Sequence, residues 1–309
     1  MRGWVFYPRS LNVPKVKETP KHLAAYQFHG VDLDEGNNGQ AIGDCPFCGK
    51  EIKFSVKVET GQYKCWVCGE TGNTLTFLRT LWDRSELPYD KETTKLSSNR
   101  TLTDPKTLEV WGVRRCMISG DWIMPGWNAD GKLVQLYKYT GRPKRMLATK
   151  GMAHGLFGRH LWVKKKTQVW ITEGPWDAMA LWEVLRCSKE GDNGLELTAN
   201  EELSLFDDIN IIAVPGATTF LESWYPLLSG KSITLLYDND HPRENNGKIV
   251  KTGYDSMQRV AMLLAKSTDG QPASLSFLDW GKGEGFDKGL PNGYDVRDWL
   301  AGKDQHAAD

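Results

Sequence analysis

Two pairs of cysteines and a scattered set of carboxylates are the side chains in this sequence best placed to do chemistry. Cys45-Pro46-Phe47-Cys48 is followed, after 16 intervening residues, by Cys65-Trp66-Val67-Cys68. Two Cys-x-x-Cys turns at that separation suit one tetrahedral, four-thiolate zinc ion. Gly49 and Gly69, directly after each pair, permit the tight backbone such turns need. Chance spacing and a redox dithiol are the other readings of the same residues. Four protein ligands leave no open position for catalysis, so the zinc is structural. Cys116 and Cys187 have no partner in this pattern and are assigned to core or surface.

The carboxylates fall at the ends of apolar runs. Glu173 follows Gln168-Val169-Trp170-Ile171-Thr172, and Asp177 lies four residues later, on the same face of the helix expected to begin at Pro175. Asp238-Asn239-Asp240 follows a second run, Ile233 to Tyr237. Carboxylates at i and i+2 after one strand, joined by another from a neighbouring strand end, can converge on a hard divalent cation. Such an ion serves phosphoryl transfer. Each element of this pattern is common by itself; their order and context give it weight.

The elements that position these residues can be read around them. Ile52 to Val58 alternates as a half-exposed strand does. Gln168–Thr172, Ile209–Val214 and Ile233–Tyr237 read as buried strands. Trp176, Met179, Ala180, Leu181, Val184 and Leu185 supply one helix face, and Met257, Val260, Ala261 and Leu264 another within 255–266. Strands alternating with helices predict an α/β sheet with functional loops at the strand ends. The stretch 84–103, rich in Ser, Thr and charge, is predicted to be a linker that leaves the cysteine module mobile, so that losing zinc would unfold this module alone.

Charge is uneven. Lys and Arg number 39, as do Asp and Glu, so the formal net charge is zero. Yet 131–172 has no acid and ten bases, while 190–210 has seven acids and no Lys or Arg. A basic block of that length suits a polyanionic partner. Mean hydropathy is −0.48, and no apolar stretch approaches the roughly 18 residues that span a bilayer. The N-terminus has no apolar signal segment. Neither secretion nor membrane insertion is expected, and the six cysteines are too few for a disulfide scaffold.

Taken together, these motifs resemble a family. Glu173-Gly174-Pro175-Trp176-Asp177-Ala178-Met179, Pro215-Gly216-Ala217 and Asp238-Asn239-Asp240 look like the TOPRIM domain of bacterial-type (DnaG-like) primases, topoisomerases and some nucleases. The cysteine motif, with Gly69-Glu70-Thr71-Gly72-Asn73 and Phe77-Leu78, is similar to the zinc ribbon of those primases. Asp121 to Trp127, the turn at Asp130-Gly131, Arg142-Pro143-Lys144-Arg145 and His154 to Gly158 resemble the basic half of their polymerase core. Tyr294-Asp295-Val296-Arg297-Asp298-Trp299-Leu300 looks like the closing acidic motif.

Four departures stand out. Cys48 replaces the histidine many cellular primases carry, which looks more like the phage branch. The segment 241–252 lengthens the turn after Asp240. Arg297 occupies a position where many members have an acid, which puts metal ligation by Asp295 or Asp298 in question. Gly230-Lys231-Ser232 is only half of a phosphate loop, so no helicase module is expected within these residues.

The resemblance implies an α/β chain: a small β-rich zinc ribbon (1–84), a linker (85–103), an α+β basic subdomain (104–166) and an α/β TOPRIM sheet (167–309). It implies a phage-type DNA primase that makes short RNA primers by metal-dependent nucleotidyl transfer. Mg²⁺ or Mn²⁺ would sit at Glu173, Asp238 and Asp240, with Asp177 a further ligand or a support for Glu173, and Asp295 a contested ligand. Lys138, Arg142, Lys144 and Arg145 would hold template or triphosphate, and Trp66 or Tyr63 would stack on bases, with packing over the zinc site the other reading of Trp66. Ribonucleoside triphosphates, single-stranded DNA and a replicative helicase would be its partners, in the cytoplasm of a bacterial cell during phage infection. A TOPRIM nuclease and a non-enzymatic zinc-ribbon DNA-binding protein are the competing classes; a topoisomerase would need a far larger cleavage domain.

Overall fold

The computed structural model describes residues 22–141, 144–190, 208–245, 247–281 and 286–302. The first sheet is an antiparallel meander: β1 (Asp34–Glu35), β2 (Gln40–Gly43), β3 (Phe54–Lys57), β4 (Tyr63–Cys65) and β5 (Thr71–Gly72). Phe54 and Val56 point inward from β3, against Tyr63, Phe77, Leu78 and Leu81. Ile52, predicted to begin this strand, instead lies outside it, 70% exposed with φ 53° in the turn after the first cysteine pair. A short helix α1 (Ala24–Phe28) covers the meander, and α2 (Thr74–Arg84) closes it, capped by Asn73, whose Oδ1 accepts the Thr76 N–H at 2.9 Å.

The predicted linker is a correction. Residues 85–103 carry a helix, α3 (Lys91–Ser98), capped by Asp90, with Leu96 and Leu102 buried in the core beside Trp111 and Trp176. The hydroxyl-rich composition suggested solvated chain. In the fold those hydroxyls bond backbone: Thr93 donates to the Pro88 carbonyl and Ser97 to Leu102 O at 3.1 Å. Next comes α4 (Lys106–Val110), whose start is held by the buried Glu183 carboxylate, which accepts Thr103 N–H, Asp104 N–H and the Thr107 hydroxyl at 2.7 to 2.8 Å.

A second antiparallel sheet follows: β6 (Arg114–Arg115), β7 (Trp122–Trp127), β8 (Leu133–Gly141) and β9 (Lys144–Ala148). It is not separate from the cysteine module. Ile123, Leu133 and Leu136 share one buried cluster with Phe77 and Leu81. Arg79 donates to Leu133 O from Nε and Nη2 (3.3 and 3.2 Å), and Trp82 Nε1 to Gly112 O at 2.8 Å.

The third sheet is parallel, in the order β11-β10-β12-β15: β10 (Gln168–Thr172), β11 (Ile209–Ala213), β12 (Ser232–Leu236) and β15 (Ser274–Phe277). The first three stand where the apolar runs placed them, whereas β15 was not foreseen. Helix α5 (Pro175–Glu190) begins at the proline, burying Ala178, Met179, Ala180 and Leu181, whereas Val184, expected on that face, is 42% exposed. A one-turn helix, α6 (Tyr225–Leu228), precedes β12. An antiparallel hairpin, β13 (Arg243–Asn245) and β14 (Lys248–Val250), interrupts the path from β12 to helix α7 (Thr252–Lys266), which buries Met257, Val260 and Leu264. The short α8 (Val296–Leu300) packs on α5. Among the described residues, no helix is long and apolar enough to cross a membrane.

Candidate functional site

Each cysteine pair forms the same turn. Gly49 N–H bonds Cys45 O and Gly69 N–H bonds Cys65 O, and both glycines have positive φ, 69° and 80°. The four sulfurs lie within 4.8 Å of one another. Cys45 and Cys68 are 3.8 Å apart, as are Cys48 and Cys65. That is the edge of a tetrahedron with metal–sulfur bonds of about 2.3 Å, and far beyond disulfide length. For Cys65, burial works against the thiolate but amide hydrogen bonds from Cys68 and Val67 win, lowering its pKa to about 6. These four residues are a zinc-binding site, as predicted.

The acids gather at the C-terminal edge of the parallel sheet. Glu173 leaves β10 and Asp238 leaves the adjacent β12, in register through Thr172 and Leu236. Beyond β12 the in–out alternation continues: Tyr237 and Asn239 are fully buried, Asp238 and Asp240 only partly so. Asn239 Nδ2 donates to Asp287 O (3.0 Å) and Pro291 O (3.2 Å), while its Oδ1 accepts Asp287 N–H at 2.8 Å. This side chain fixes the loop so that its two neighbours face the acids. Asp240 Oδ2 accepts Gly253 N–H at 2.8 Å, and a Cβ on Gly253 would come within 2.5 Å of Asp238 O.

Burial pushes Glu173 up to about 7, with Asp240 and Asp177 adding like charge and backbone hydrogen bonds at Asp238 and Ala217 opposing. Asp238 is raised by burial and by Glu173, Asp177, Asp295 and Asp240. Glu173 Oε2 is buried without a hydrogen-bond partner. A cluster of carboxylates that repel one another, with one oxygen unpartnered, fits a hard divalent cation. Its donor atoms are more widely spread than the sulfurs: among the described residues, only the cysteines form a group of three or more within 4.8 Å.

Asp177 and Asp295 are placed differently. Arg297 Nε donates to Asp177 Oδ1 at 2.8 Å, and its guanidinium also pairs with Asp295. Burial pushes Asp177 up to about 6, with Arg297 opposing. Asp295 caps α8, accepting Asp298 N–H at 3.0 Å in a reciprocal capping box.

The basic block divides by use. Lys138, predicted to hold template or triphosphate, is committed elsewhere: its ammonium pairs with Asp121 at 2.8 Å and bonds Phe28 O at 2.6 Å. Position in β8 turns it onto the seam with α1. Arg159 bonds Ala129 O at 2.6 Å through Nη2. Lys132, Arg145, Lys150, Lys164 and Lys165 are exposed. Arg142 and the Lys144 side chain lie outside the described residues, as does nearly all of the acidic stretch 190–210. Lys231, from the half phosphate loop, binds the carbonyls of Lys164 and Lys166.

Residues 29–108 match the sequence family described as the CHC2 zinc finger, the zinc ribbon of DnaG. This stretch is similar to the zinc ribbon of that family. Among curated proteins none matches the chain. Several solved primase structures are similar to it. The Aquifex aeolicus primase zinc-binding and RNA polymerase domains are 14% identical, covering 92% of this chain and 81% of that one, TM-score 0.46. The primase fragment of the bacteriophage T7 primase-helicase is 16% identical, covering 85% and 96%, TM-score 0.40. A DnaG catalytic domain bound to single-stranded DNA is 14% identical, covering 74% of each chain, TM-score 0.47.

The cysteine ribbon presents an open groove of about 620 Å³ lined by Gln40, Ser55, Lys57, Gln62, Lys64 and Trp66. Trp66 is 64% exposed, with Lys64 Nζ 4.0 Å above its ring. Tyr63 is 2% exposed in the ribbon core, so it is withdrawn as a stacking platform.

Proposed function

We propose that the chain is a DNA primase that makes short RNA primers on single-stranded DNA. The observation that carries this is the pairing, in one chain, of a DnaG-type ribbon with Glu173, Asp238 and Asp240 converging at adjacent strand ends. In this reading the parallel sheet is a TOPRIM unit, and those three carboxylates hold Mg²⁺ or Mn²⁺. The ion, when bound, lowers the pKa of an attacking 3′-hydroxyl and neutralises charge on the α-phosphate. The chain's residues do the rest. Asn239 and Gly253 orient the Asp238–Asp240 loop, and Asp177 ties the first turn of α5 to Arg297. Arg145 and the exposed lysines attract nucleic-acid phosphate, and Trp66 offers a ring on which a template base stacks.

The proposed division is ribbon (1–84), connecting helix segment (85–103), basic subdomain (104–166) and catalytic sheet (167–309), working with a replicative helicase in the cytoplasm of a phage-infected bacterium. The test is synthesis from ribonucleotides on single-stranded DNA with Mg²⁺ or Mn²⁺, with short RNA as the expected product. Metal-dependent DNA breakage without synthesis would overturn this in favour of a nuclease. Binding with neither would leave a DNA-binding ribbon protein.

A further inference from the structure

Arg297 lies inside the carboxylate cluster, between Asp177 and the contested ligand Asp295. Its Nε donates to Asp177 Oδ1 at 2.8 Å and its Nη2 pairs with Asp295 Oδ2. Asp177 and Asp295 are 6% and 5% exposed. The second Asp295 oxygen is taken as well, by Asp298 N–H at 3.0 Å. A guanidinium keeps its charge at any working pH. A divalent ion approaching Asp177 or Asp295 therefore meets a fixed cation, and must break a charge-assisted pair before it gains a ligand. Glu173 is the contrast, with a buried oxygen that has no partner.

We propose that Arg297 is a positioning residue that takes the place of a cation at Asp177 and Asp295, confining the chain to a single divalent ion at Glu173, Asp238 and Asp240. This rests on the metal-dependent reading above. The same guanidinium joins α8 to the first turn of α5, so it also sets where α5 stands relative to Glu173.

Bound Mn²⁺ counted by electron paramagnetic resonance, on the zinc-loaded full chain without DNA or nucleotide, tests this. The native protein is expected to bind one ion. Arg297→Ala frees two carboxylates and is expected to bind two, and Arg297→Ala with Asp295→Asn to return to one. A purely structural arginine would lower the melting temperature and leave the count at one, which would overturn the proposal. Asp295→Asn alone keeps the Arg297–Asp177 pair and does not depend on the alanine variant folding: its expected count is one. Loss of that ion would make Asp295 a ligand and overturn the inference. Two ions in the native protein overturn it while sparing the primase reading; none at all overturns both.

Discussion

The charges that act most on Asp238 are of its own sign. Glu173, Asp177, Asp295 and Asp240 all raise its pKa, on top of burial. Removing one carboxylate from such a group relieves repulsion in the metal-free protein. Asp238→Ala is therefore expected to lower primer synthesis by about 10²–10³, the loss seen when one preorganised electrostatic group is removed from an active site. The metal-free melting temperature should stay level or rise. Asp240→Ala should lose as much activity but gain no stability, because it also gives up the Gly253 N–H bond, about 1 kcal/mol. Synthesis assays with parallel thermal melts separate the two, and near-normal activity in either variant removes that residue from the site. These acids were legible because a strand's alternation continues past its end, turning Asp238 and Asp240 one way and Asn239 the other. The task of Asn239 was not, since its partners come from 287–291, about fifty residues on. Asp295 carried its own signal: Asp-x-x-Asp before a helix is a capping box.

The chain between β12 and α7 shows how an insertion can leave a site intact. The hairpin β13–β14 leaves after Asp240 and returns to Gly253, whose lack of a Cβ lets α7 begin against Asp238 O. Neighbours in space here are separated by the whole inserted segment, which is why sequence spacing made it unreadable. Gly253→Ala would force a 2.5 Å contact with backbone. The expected cost is about 1–3 kcal/mol, as for other overpacked sites, with synthesis reduced through a displaced Asp238. Chemical denaturation and activity measured together check this; unchanged activity would mean the close approach does not matter. The helix α3 marks a different kind of misreading. Composition suggested exposed chain, but Leu96, Leu102 and bonded hydroxyls make it part of the core. Limited trypsin digestion should accordingly cut at Lys248, in the exposed hairpin, before Lys91 or Lys95. Earlier cutting at the latter two would restore a loose linker.

Across the whole molecule, the ribbon and the basic sheet behave as one body, because Phe77 and Leu81 share a core with Ile123, Leu133 and Leu136. Loss of zinc through Cys65→Ser is thus expected to weaken the basic sheet as well, rather than spare it. The seam also carries a pH dependence. His29 is fully buried there, its Nε2 2.9 Å from Thr149 Oγ1 and its Nδ1 without a partner. Burial pushes its pKa down to about 3, Lys138 acts in the same direction and Asp121 opposes. The folded ring stays neutral while the unfolded chain takes up a proton near 6.5. Below that value the unfolded state binds more protons, so stability falls as pH falls, by about 1.4 kcal/mol per unit until the folded pKa is reached. Above about 6.5 the contribution is complete and flat. Denaturant melts between pH 8 and pH 5 should show this slope, and His29→Gln, which keeps a side chain able to bond Thr149 without titrating, should flatten it. Acid also protonates the zinc thiolates, but that loss is common to both proteins. The difference between them isolates the histidine, and identical slopes would mean that the seam opens without charging His29.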